Sequence, residues 1–115
     1  MGVPVGPTDP LGAALEQSLF REVNERLRYI NEGFGDFVCE CANGDCSEHV
    51  VMTQLEYEDV RRDSTHFLVT PGPGHVFPDV ERVSEENDRY VVVEKFGEAG
   101  DAAVRLDRRR SGSVE

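Results

Sequence analysis

Three cysteines fall within eight residues, as Cys39-x-Cys41-x4-Cys46, and the chain has no others. Thiolates are soft donors that select zinc over magnesium or calcium, bind it at about 2.3 Å, and close a structural site with four ligands. Cysteines two apart on an extended strand point to one face, so Cys39 and Cys41 can reach one ion. The Asn43-Gly44 pair tolerates positive φ and predicts a turn that brings Cys46 back across from them. One position is then left to fill. His75 ends a stiff Pro-Gly-Pro-Gly-His loop and would staple distant parts of the chain. His49, three residues beyond Cys46, would complete a compact local site, and another donor or water is the third option. His66, at the start of a strand, ranks last. The expected centre is one structural zinc ion on Cys39, Cys41, Cys46 and His75, with His49 as the competing ligand. A thiol redox switch, or plain packing of small side chains, would use the same cysteines.

No catalytic constellation stands out. A metal hydrolase needs an open coordination position and a nearby base. Glu40 and Glu48 lie beside the cysteines, but in an acidic chain that proximity is weak, and three thiolates make zinc a poorer Lewis acid. Ser64, Thr65 and His66 are adjacent without the geometry of a triad. Gly72 and Gly74 sit in no strand–loop–helix context for phosphate. The expected class is a non-enzymatic, metal-stabilised protein that binds a protein partner or regulates. A zinc-thiolate redox sensor is the alternative, and a hydrolase stands behind that.

The elements that must position these residues can be read from periodicity. Leu15, Leu19, Val23, Leu27, Ile30 and Phe34 recur at steps of three and four, one face of a helix over about 11–32. Asp9 and Pro10 suit its start, Gly33 and Gly35 its end. The stripe is expected to pack into the core, and its second reading is a partner or homodimer face. Phe37–Cys41 reads as a strand and His49–Met52 as its return. Thr53 and Glu56 form a capping box, with Met52 and Tyr57 at staple positions, before a helix over about 54–62 that buries Leu55, Tyr57 and Val60. His66–Val69 and Val80–Val83 read as strands, Glu85–Arg89 as a polar turn, and Tyr90–Phe96 as the clearest strand. Ala102–Val104 is at most a weak final segment. The fold class is α+β: a long N-terminal helix, a cysteine-bearing hairpin, a short second helix and a small antiparallel sheet. Residues 1–10 are expected to be a flexible lead-in, 11–97 a single domain, and 98–115 a polar, flexible tail.

Bulk properties narrow the context. Twenty-three acidic against twelve basic residues give a net charge of −11, which opposes binding to nucleic acid. The basic cluster of Arg105, Arg108, Arg109 and Arg110 on an acidic body is expected to serve solubility or docking onto the chain itself. No apolar run approaches the roughly 20 residues of a membrane span, and no signal-peptide pattern opens the chain. The expected compartment is the cytoplasm, where thiols stay reduced. With only 38% apolar residues the core is modest, so one metal crosslink would matter to stability. Lys95 is the only lysine, a composition typical of GC-rich bacterial genomes.

Three stretches carry a resemblance: Phe37-Val-Cys-Glu-Cys-Ala-Asn-Gly-Asp-Cys46, Leu55-Glu-Tyr-Glu-Asp-Val-Arg61, and Phe67-Leu-Val-Thr-Pro-Gly72 with Gly74-His75. Together they resemble a set of short actinobacterial proteins without an assigned activity, over roughly residues 20–96. In that pattern the histidine after the Pro-Gly loop recurs, while the position of His49 is often basic. The resemblance therefore implies His75 as the ligand and no activity. This chain departs from the pattern by an added Pro-Gly in the loop.

Overall fold

The structure is a computed structural model and describes residues 10–30 and 33–109. The expected α+β order is present. Helix α1 spans Pro10–Leu27, strands β1 (Phe34–Val38) and β2 (His49–Thr53) form a hairpin, and α2 spans Gln54–Arg61. Strands β3 (His66–Val69), β4 (Glu81–Glu86) and β5 (Val91–Lys95) follow, and α3 (Gly97–Arg105) closes the described chain. The hairpin is antiparallel, in a register that sets Phe34 opposite Thr53 and Val38 opposite His49. The second sheet has the order β3-β5-β4, both pairs antiparallel, with a bulge in β4 between Val83 and Glu85.

Strands β3 and β5 are covered on both faces, while β4 is exposed beyond Glu81. Leu68 and Val92 point toward Phe37, Val50, Met52, Tyr57 and Val60 of the hairpin and α2. Phe67, Val69, Val91 and Val93 point the other way, toward Cys39, Cys41 and Ala103. That alternation explains why β3 and β5 read as almost continuous apolar runs. The capping box forms as expected: the Thr53 hydroxyl accepts the Glu56 amide at 3.0 Å, and the Glu56 carboxylate accepts the Thr53 amide at 2.8 Å. The Phe37 and Tyr57 rings stack 4.7 Å apart.

Several expectations are corrected. Strand β1 begins at Phe34 and ends at Val38, so Phe34 is not the end of the helical stripe and the cysteines lie just beyond the strand. Leu55, expected inside, is 83% exposed, and the polar stretch Glu85–Glu86 belongs to β4. Residues 98–109, expected as tail, instead form α3 and a bonded turn packed beside α1. Asp107 pairs with Arg61 at 2.9 Å, and Arg109 pairs with Glu25 and Glu58, so that part of the basic cluster docks onto the chain's own acidic side chains. Asp9 and Arg110 lie outside the described residues.

The largest correction concerns α1. Its buried face is Ala13, Ala14, Gln17, Ser18, Arg21 and Asn24, while Leu11, Leu15, Leu19 and Val23 are 45–56% exposed. The helix ends at Leu27 and sits with its polar stripe inward. The reason is the backbone it covers. Asn24 pairs with Val38 as a neighbouring strand would: its amide donates to the Val38 carbonyl and its carbonyl accepts the Val38 amide, both at 2.8 Å. Gln17 donates to the Glu40 carbonyl at 2.8 Å. Arg21 donates to the carbonyls of Ser64 (2.7 Å) and Ala103 (3.0 Å), with its guanidinium 4.4 Å over the Phe67 ring. Leucines in those places would strand five backbone groups at roughly 1–3 kcal/mol each. Burying the already half-covered leucine row would return only about half of the usual 1.5–3 kcal/mol per side chain. Polar satisfaction outweighs the apolar stripe.

Candidate metal centre

The ten residues joining β1 to β2 carry all three cysteines. The Cys39 amide donates to the Glu48 carbonyl at 3.0 Å, which extends the hairpin ladder one step past Val38. The Glu40 amide then donates to the Leu68 carbonyl at 2.8 Å and ties the segment to β3. Side chains still alternate as on a strand: Cys39 and Cys41 face the apolar cluster with Phe67 and Val69, while Glu40 points the opposite way, to α1. The two-residue spacing therefore works although the strand itself has ended.

Cys46 returns through a turn closed by Asn43, whose carbonyl accepts the Cys46 amide and whose side chain accepts the Asp45 amide, both at 3.0 Å. Neither Asn43 nor Gly44 takes a positive φ, contrary to the sequence expectation. A side chain at Gly44 would instead crowd the Glu16 carboxylate, 2.8 Å from an added Cβ. His75 arrives from the loop between β3 and β4, where Gly74 holds φ +89, a conformation that residues with a Cβ rarely adopt.

These elements bring the donor atoms of Cys39, Cys41, Cys46 and His75 within 4.8 Å of one another. His75 Nδ1 lies 3.6 Å from the Cys39 sulfur and 3.8 Å from the Cys46 sulfur. The edge of a tetrahedron is about 1.6 times its centre-to-corner length. Zinc–sulfur bonds of about 2.3 Å and zinc–nitrogen bonds of about 2.0 Å thus call for donor separations of roughly 3.5–3.8 Å. The two separations from His75 fall in or beside that range, and the group could hold one small metal ion. Cys39 and Cys41 are buried; Cys46 and His75 are half-buried. Val76 and Phe77 add apolar cover from the histidine's own loop. His49 is exposed on β2 and does not join the group, and His66 stands apart beside Asp63 at 3.6 Å.

The electrostatics are those of crowded thiols. Cys39 is pulled down to about 5, first by the hydrogen bond its sulfur accepts from Cys41, against the opposing effect of burial, with help from Thr70, whose amide donates to that sulfur at 3.2 Å, and from His75. Cys41 is pushed up, chiefly because its proton is engaged by Cys39 and also by burial. Cys46 is pushed up by burial. One thiol of the three is ready to ionise, and the negative charge it makes opposes ionisation of its neighbours. A cation at the centre would reverse that opposition.

Glu40, weighed from sequence only as a base, has a different place. Its carboxylate accepts the Asn24 amide (2.8 Å) and the Leu68 amide (3.1 Å), and its backbone carbonyl accepts Gln17. Burial raises it to about 7 against those hydrogen bonds and the charges of Arg21 and Arg61. It fixes the cysteine-bearing segment to α1 and β3. Glu48 is exposed. Ser64 donates its hydroxyl to Asp107, so Ser64 and His66 serve different partners. The positioning residues Gln17, Arg21 and Asn24 were legible only as a second helical stripe, at steps of four and three. Asp63, His66 and Glu94 also cluster, but they are more exposed, and Glu94 is engaged by Arg82 at 3.3 Å. Among the described residues no helix is long and apolar enough to cross a membrane. Set against known proteins, the chain matches no family model and is similar to no curated protein or solved structure.

Proposed function

We propose that the chain is a small non-enzymatic protein built around one structural zinc ion held by Cys39, Cys41, Cys46 and His75, and that it serves as a partner-binding or regulatory module. The observation that carries the reading is the mutual spacing of four donors from two distant loops, with soft thiolates in the majority. Bound there, the ion would supply a crosslink between the hairpin loop and the β3–β4 loop. Catalysis fits less well, because the Glu40 carboxylate is spent on Asn24 and Leu68 and points away from the sulfurs. The choice of His75 agrees with the resemblance to the short actinobacterial proteins, which enters as part of the same proposal.

Metal analysis of protein purified under reducing conditions without chelator tests it. One zinc per chain is expected, lost in Cys46→Ser, weakened in His75→Ala and unchanged in His49→Ala. Protein free of metal, or a metal indifferent to both Cys46→Ser and His75→Ala, would sink the reading.

The half-exposure of Cys46 supports a second reading, a redox sensor. Hydrogen peroxide would take two electrons from a pair of the thiolates, forming one disulfide and, with two protons, two waters, and freeing the ion. Zinc release by mild peroxide, reversed by thiol and added zinc, is its signature; indifference to peroxide removes it.

A further inference from the structure

The row Leu11, Leu15, Leu19 and Val23 stands half-exposed although the chain is acidic and its core modest. It cannot turn inward, because the opposite face of α1 is committed to Val38, Glu40, Ser64 and Ala103. We propose that this row is a self-association surface, which a second copy of the chain covers by packing its own α1 antiparallel across it.

Four features select a second copy as the occupant. First, the row has a strict four-residue step, and ridges of that step on both helices make the commonest helix packing in globular proteins. Second, it is symmetric about its midpoint: an antiparallel twofold brings Leu15 and Leu19 of the two copies together at the crossing, with Leu11 and Val23 toward its ends. Third, two shallow hollows of about 330 and 250 Å³ flank Val23 and Leu19, the second walled also by Leu106 of the closing turn, and they offer grooves for a facing ridge. Fourth, the charged residues around those hollows are Glu22, Arg26 and Arg108, with Arg108 4.0 Å from Glu22. This face is thus free of the negative excess of the whole chain, and two copies can approach through it without strong repulsion.

The area sets the strength. Four half-exposed aliphatic side chains make an apolar strip of a few hundred Å², in the range of about 300–600 Å² for the largest patch on a monomer. A standard interface needs about 800 Å² per partner, so the shoulders around Leu106 must contribute and the dimer is of the small class. Dissociation at about micromolar concentration is expected.

Sedimentation equilibrium on the full chain, kept reduced and with its metal, tests the proposal from about 1 to 500 µM. A monomer–dimer equilibrium is expected. Leu19→Glu and Leu15→Glu, both at exposed positions, should each weaken it at least about 100-fold, since each substitution acts twice per dimer. Their far-UV dichroism and zinc content should equal those of wild type. Wild type that stays monomeric at 500 µM overturns the proposal, as does a dimer that survives the Leu15→Glu/Leu19→Glu double change. A monomer that floats with phosphatidylcholine vesicles would assign the strip to lipid. A monomer whose strip binds a hydrophobic dye only after removal of residues 1–9 would assign it to the chain's own lead-in. Either result also overturns it.

Discussion

The candidate metal centre and the seam beneath α1 both bury polar chemistry in a small domain, but they balance it differently. The seam balances its charges within the chain, although Gln17 Oε1, the Ser18 hydroxyl and Arg21 Nε are buried without a hydrogen-bond partner among the described residues. Lys95 reaches Glu81 at 2.8 Å with both side chains fully buried, and Gln17 and the Phe77 amide add hydrogen bonds to the same carboxylate. Arg61 is held between Asp107 and Glu25. Every charge there has an opposite charge or a hydrogen-bonding partner within contact. The centre, by contrast, gathers three thiols and an imidazole, with no lysine or arginine among the four. A cluster of soft donors with no lysine or arginine beside it is what a metal site looks like, and a set of charges with opposite charges in contact is what a structural seam looks like. Glu40 joins the two, since it lies between Cys39 and Cys41 and holds Gln17 and Asn24 of the helix.

The largest effect is expected from removing the proposed zinc ion. Apparent zinc contributions in small metal-folded domains are about 10–16 kcal/mol, as large as the whole stability of an ordinary domain. Treatment with a strong chelator should therefore abolish the cooperative melt followed by circular dichroism, and Cys46→Ser should reproduce it. A melt unchanged by chelator would mean that the thiols need no ion.

The seam should fail next. Lys95→Met leaves the Glu81 charge buried without its ion partner and is expected to destabilise by about 3–5 kcal/mol in urea. The double change Lys95→Met/Glu81→Leu removes both charges and should cost less than the single one. A double variant worse than the single would show that the pair is not balancing itself.

A smaller effect is read by pH. Asp107 is held at about 2 rather than 3.8: burial opposes ionisation, but hydrogen bonds from Arg61 and Ser64 and the charge of Arg61 outweigh it. The unfolded chain then binds the proton more tightly. Stability from this carboxylate is complete above about pH 4 and is lost as pH falls toward 2. Asp107→Asn should be less stable than wild type by on the order of 2 kcal/mol at neutral pH. That difference should close over the same interval, whatever acid does to the thiolates, because both proteins share them. A gap that persists at pH 2 would point to packing rather than charge.

The least disturbing changes are those at exposed positions. His49→Ala and Leu55→Ser should each shift the melting free energy by no more than about 0.5 kcal/mol. A large loss of metal in His49→Ala would move the fourth ligand from one loop to the other.

Much of the site was legible because it is local. The donor types, the alternation of Cys39 and Cys41, the Thr53–Glu56 box and the β-branched run of β5 depend on neighbours within a few residues. The stiff Pro-Gly loop also marked His75 for reach over distance. The turn at Asn43-Gly44 was placed correctly for a reason that does not hold, because its closure comes from the Asn43 side chain and carbonyl and not from positive φ.

The sequence by itself determined that α1 exists, that it has two faces, and that three thiols would gather in one loop. Only the tertiary structure decided which face turns inward, which histidine closes the group, and that residues 97–105 form a helix beside α1. Periodicity records which side chains share a face and is silent on what lies opposite. Opposite α1 lie backbone groups of Val38, Glu40, Ser64 and Ala103 that the sheets leave unpaired, brought together from three segments. Their demand for hydrogen bonds is larger than the gain from covering half-exposed leucines, so the polar stripe faces in.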